Sequence, residues 1–142
     1  MKRRWLLSLC IFSFNLWAQG SELVVVVNKD NAIDSLSKRE VIDIYMGRYV
    51  TFPDGTNAHP LDLPAKSPLK NDFYLKLVNQ DERKINAYWA RLLFAGRAKP
   101  PEALNSVDEV VRKLRSSEYS IAYIPANELT ADLKVVYRLN DN

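Results

Sequence analysis

The stretch Leu23-Val24-Val25-Val26-Val27, followed by Asn28, decides how this chain is read. Four consecutive valines leave no alternation of apolar and polar positions, so a strand built from them is covered on both faces. Their β-branched side chains favour extended backbone over helix. Such a strand belongs inside a sheet with helices packed against it, and the following residues supply helices. Asn28 to Asp34 is a polar turn. Ser37 and Glu40 then have capping-box spacing, Val41, Ile44 and Tyr45 follow at helical intervals, and Gly47 marks the end.

Further along, Phe52-Pro53-Asp54-Gly55 reads as a turn in which Gly55 supplies a positive φ. Ala58 to Leu63 alternates weakly and predicts a short strand. Ser67-Pro68 reads as an N-cap with proline at the first helical position, opening a helix to about Val78. A second helix is predicted from Glu82 to Phe94, with Ile85, Tyr88, Trp89, Leu92 and Leu93 on one face and Gly96 ending it. Lys99-Pro100-Pro101 is a rigid connection. Ser106 with Glu109 is another capping-box spacing, and Val107, Val110, Val111 and Leu114 form an apolar stripe. Tyr119–Ile124 and Leu133–Tyr137 are the remaining strands. Strands alternating with helices predict a layered α/β domain.

Upstream of the valines the composition changes. Lys2, Arg3 and Arg4 precede an almost wholly apolar run from Trp5 to Trp17, and Ala18-Gln19-Gly20-Ser21 supplies small residues. That order is the order of a secretory signal peptide. The run is shorter than the roughly 20 apolar residues that cross a bilayer. Residues 1–18 are therefore read as a signal peptide, with cleavage after Ala18 or as late as Gly20, and 19–142 as one exported, periplasmic domain. Cys10 lies within the apolar run and follows Leu9 where a lipoprotein signal needs a small residue, which argues against lipidation. Three of the 20 basic residues and the single cysteine leave with this segment, so 17 basic face 17 acidic residues in what remains. The pI near 9.0 is then a property of the leader and gives no reason to expect nucleic acid. Without a thiol there is no disulfide and no cysteine nucleophile or metal ligand.

Catalytic patterns are absent from the sequence. His59 is the only histidine and is followed by Pro60, so no histidine metal cluster forms, and no cofactor or metal is expected. Asp81-Glu82 and Asp108-Glu109 sit at predicted helix starts, where the helix dipole favours carboxylates, rather than as an acid/base pair. There is no nucleophile elbow, P-loop or dinucleotide fingerprint. The sequence predicts a non-enzyme. Lys66-Ser67-Pro68-Leu69-Lys70-Asn71 places a helix N-terminus beside two lysines, which reads either as an anion site or as an ordinary cap with solvated lysines. Tyr88-Trp89 with Phe94 reads either as packing or as a ligand platform, and Arg91 and Arg97 face solvent or a partner.

Three segments carry a resemblance to the phosphate-type periplasmic substrate-binding proteins of ABC transporters, and more closely to short single-lobe relatives of them. Val27-Asn28 through Leu36-Ser37-Lys38-Arg39-Glu40-Val41 to Ile44-Tyr45-Met46-Gly47, with Phe52-Pro53-Asp54-Gly55, is similar to the family's strand, "LS-x-E", "IF-x-G" and "W-x-DG". Tyr88-Trp89, Phe94-Ala95-Gly96 and Pro100-Pro101 resemble the short relatives' "YW…F-x-G…PP", and Ser120-Ile121-Ala122-Tyr123-Ile124 resembles "AIGY-V". The resemblance implies one lobe of a type II periplasmic binding protein, a mixed sheet flanked by helices. It implies a small anion such as phosphate as ligand, with Lys66, Ser67, Lys70 and Asn71 as contacts. In the two-lobed binders a Ser-Gly-Thr loop grips the anion. Here Ser67 is kept, Pro68 replaces the glycine and lacks an N–H, and Leu69 replaces the threonine and lacks a hydroxyl. One lobe also leaves the anion wet, so a homodimer or a partner would supply the missing wall. Two functions follow. One is a periplasmic solute-binding protein with a degenerate anion site. The other is an interaction or sensory module without phosphate binding, acting on a membrane sensor, channel, porin or transporter.

Overall fold

The computed structural model describes residues 22–139, and the signal-peptide reading, with Cys10 and both cleavage positions, lies outside them. The valine run forms β1 (Leu23–Asn28), all six residues of which are buried. It is followed by α1 (Lys38–Tyr45), β2 (His59–Asp62), α2 (Pro68–Val78), α3 (Glu82–Phe94), β3 (Glu102–Ala103), α4 (Val107–Ser116), β4 (Ser120–Pro125) and β5 (Leu133–Leu139). The sheet order is β3-β2-β4-β1-β5. β1 is antiparallel to both neighbours, whereas β2 runs parallel to β3 and β4. This is an open mixed sheet, as the resemblance implies.

The local signals act as their chemistry predicts. Ser37 and Glu40 form a full reciprocal capping box on α1. Ser106 accepts from Glu109 N at the start of α4, but the Glu109 carboxylate returns to Asn105 N, so the second half of that box is shifted by one residue. Gly47 closes α1 at φ +69°, and an added Cβ there would meet the Trp89 ring at 2.9 Å, so glycine is needed for space as well as for conformation. On β5 the pairing steps from Val25↔Tyr137 to Val26↔Val135. This bulge turns the Val136 carbonyl towards Leu36 N, which donates to it at 2.8 Å. β3 has no counterpart in the sequence reading. Two residues after Pro100-Pro101 carry too little pattern to be recognised, and only the β2 edge makes them a strand.

The core joins the sheet to buried residues from all four helices. Tyr45, Tyr74, Tyr123, Phe52 and Phe73 are its largest fully buried side chains, with Phe73 stacked on Tyr123 at 3.9 Å and set edge-on to Tyr45 at 4.8 Å. α3 buries Ile85 and Trp89 only. Leu93, expected on that face, is 51% exposed, and Phe94 is 98% exposed. No helix among the described residues is long and apolar enough to cross a membrane.

Candidate functional site

β2 ends on Asp62 and α2 starts six residues later, so the predicted anion contacts divide between the connecting loop, with Lys66 and Ser67, and the first turn of α2, with Lys70 and Asn71. Lys66 adopts a left-handed backbone at φ 66°, unusual for a side-chain-bearing residue. This conformation presents its N–H to Glu82, the first residue of α3, whose two carboxylate oxygens accept at 2.9 and 3.0 Å. Ser67 is the N-cap of α2 and accepts from Lys70 N at 3.4 Å. Asn71 Oδ1 accepts from Glu82 N at 3.1 Å and so helps to start α3. The Lys70 side chain turns inward, only 12% exposed, and its ammonium lies 3.9 Å from Asp62 Oδ2. That distance is an ion pair without a hydrogen bond.

The structure thus gathers the four residues, but each is engaged within the chain. The Glu82 carboxylate sits against the Lys66 N–H, where an anionic ligand would seek a donor. Pro68 contributes no N–H at the next position.

Asp62 is the residue that sequence reasoning missed. It is buried at the C-terminal end of β2 and accepts from Tyr74 Oη at 2.7 Å, from Leu63 N at 2.8 Å and from Tyr123 Oη. Burial, reinforced by the Asp62 charge, pushes the phenol of Tyr74 well above its ordinary value, and does the same for Tyr123 and Tyr45. Tyr45 donates instead to the Leu61 carbonyl at 2.9 Å. A cavity of about 300 Å³ adjoins Asp62 and Lys70, walled by Trp89, Asn86 and Pro100. The available signal was a carboxylate inside the apolar run Pro60-Leu61-Asp62-Leu63. Its partners are 12 and 61 residues away, beyond any local pattern.

His59 opens β2 at the surface, and its Nε2 lies 2.5 Å from Glu102 Oε2 across the β2–β3 edge. The hydrogen bond from His59 holds the Glu102 carboxyl below its usual value. Tyr88 donates to the Met46 carbonyl at 2.6 Å and Trp89 is buried, so both of these aromatics pack. No group of three metal-ligating side chains occurs among the described residues.

No protein-family model and no curated protein matches the chain. Solved structures do. An ABC-type phosphate transport receptor from Vibrio cholerae superposes with a TM-score of 0.65 at 14% identity, over 82% of this chain and 45% of that one. PstS from Borrelia burgdorferi superposes with a TM-score of 0.56 at 14% identity, over 82% of this chain and 46% of that one. The chain therefore has the fold of these proteins while spanning a little under half of their length.

Proposed function

We propose that the protein is a periplasmic solute-binding lobe of the phosphate type, exported by residues 1–18, with a degenerate anion site and no catalytic role. The observation that supports this reading is the stretch from the β2–α2 loop into the first turn of α2, which carries Lys66, Ser67, Lys70 and Asn71 within a lobe folded like those of phosphate receptors. In this reading phosphate approaches the start of α2 and competes with the Glu82 carboxylate for the Lys66 N–H. Pro68 and Leu69 remove two donors relative to a Ser-Gly-Thr loop. At roughly 1.5–3 kcal/mol for each charge-assisted bond, affinity falls by about two to four orders of magnitude from that of a complete site. Binding is then weak, on the order of millimolar, unless a second lobe or a transporter closes over the anion.

Isothermal titration with inorganic phosphate tests this. The expected result is weak heat for the native protein and tighter binding for Glu82→Gln, which keeps a side-chain acceptor for Lys66 and removes the competing charge. No heat for either protein at tens of millimolar phosphate would sink direct phosphate binding.

A further inference from the structure

From Arg83 to Pro101 the chain carries five basic residues, Arg83, Lys84, Arg91, Arg97 and Lys99, and no acidic one. All five are exposed. Some cations elsewhere pair with carboxylates, as in Arg115–Asp132 at 2.8 Å, Lys134–Asp34 at 3.1 Å and Arg138–Glu22 at 3.3 Å. None of these five pairs with a carboxylate among the described residues. Arg91 rests over the Tyr88 ring at 5.9 Å instead. Between Arg91 and Arg97 stand Leu93 and the almost fully exposed Phe94. A bare phenylalanine flanked by unpaired arginines has the composition of an interface anchor.

The segment that follows walls a groove of about 710 Å³. Arg97 and Lys99 stand on this wall, Ile44, Ala58, Pro60 and Pro100 give the groove apolar lining, and Glu102, the one carboxylate there, is held by His59. Its volume suits a bulky side chain entering from an extended peptide. A lipid surface would engage Phe94 and the cations but leave the groove empty.

We propose that the outer face of α3 and this groove bind an acidic polypeptide segment of a partner protein. Carboxylates of the segment pair with Arg91, Arg97 and Lys99, one apolar side chain enters the groove, and Phe94 packs against the segment. Opposite charge draws the segment in and sets its direction along α3. This surface is separate from the start of α2, and its occupancy does not depend on phosphate.

Fluorescence anisotropy tests it, using a labelled peptide of glutamate and aspartate with one central tryptophan. The peptide should bind the native protein, and affinity should fall as salt is raised. The Arg97→Glu/Lys99→Glu variant should bind about tenfold more weakly, as two exposed ion pairs become repulsive. Its melting temperature and its phosphate titration should be unchanged. Phe94→Ala should also weaken the complex. Absence of binding by the native protein, or equal binding by the charge-reversed variant, would overturn the proposal. So would sedimentation of the protein with phosphatidylglycerol vesicles when the peptide does not bind.

Discussion

At the start of α2 the Lys66 N–H and the Lys70 ammonium are engaged by carboxylates of the chain itself, whereas along α3 the cations have no ion-pair partner among the described residues. Lys66 N is taken by Glu82, Lys70 by Asp62, and Asn71 by the first turn of α3. Thirteen residues after Asn71, Lys84 belongs to a run of cations that makes no ion pair among the described residues. The difference follows from burial. A charge next to the core is costly unless paired, so the fold pairs it, whereas an exposed charge costs little and is left for solvent or a partner. Side-chain type alone therefore does not separate a structural lysine from a recognition lysine.

Breaking the sealed region should have the largest effect. Asp62→Ala leaves Lys70 without its counter-charge and the hydroxyls of Tyr74 and Tyr123 without their acceptor. It should cost about 3–5 kcal/mol in urea unfolding, while Arg91→Ala on the open face should stay within about 0.5 kcal/mol. A cost below that of an ordinary surface substitution at Asp62 would remove the distinction between the regions.

The same cluster should make the protein sensitive to alkali. Tyr45, Tyr74 and Tyr123 have folded pKa values raised above the ordinary 10.0. Their contribution is complete below that value and is lost as pH climbs above it, because only the unfolded chain releases the protons. Each phenol should remove about 1.4 kcal/mol per pH unit above 10. Phenolate absorbance from these three should therefore appear together with unfolding. Early titration of all seven tyrosines in a folded protein would contradict their sealing.

Glu102 sharpens the contrast at the small end. His59 holds its carboxyl below the ordinary 4.5, so its contribution is present above that pH and is lost as pH falls through the lowered folded value. Glu102→Gln should lower stability at neutral pH by less than about 1 kcal/mol, since the pair is exposed. The difference between the two proteins should shrink as pH falls below 4.5 and vanish once the carboxyl is protonated in the folded state as well.

Much of this architecture is legible before folding because its causes are local. The valine run demands cover on both faces, and Ser37, Ser67 and Ser106 each cap the helix that follows them. Gly47, Gly55 and Gly96 take the positive φ that ends a helix or makes a turn. The four residues at the α2 start were also legible as a group, since they are consecutive or nearly so. Their engagements were not, because Glu82 and Asp62 reach them through space. Leu93 misled for a related reason: helical spacing gives a face its direction, but only a neighbouring element decides how much of that face is covered.

By itself, the sequence determined the order of the strands and helices other than β3, the caps and the charge balance; the elements and caps depend on residues within a few positions of one another. Only the tertiary structure decided that Asp62 is sealed by Tyr74 and Tyr123, that Glu82 occupies the loop where an anion would be sought, and that Phe94 is left bare. Each of these joins or separates segments distant in the chain, and burial, which sets the worth of every charge, exists only once the segments have packed.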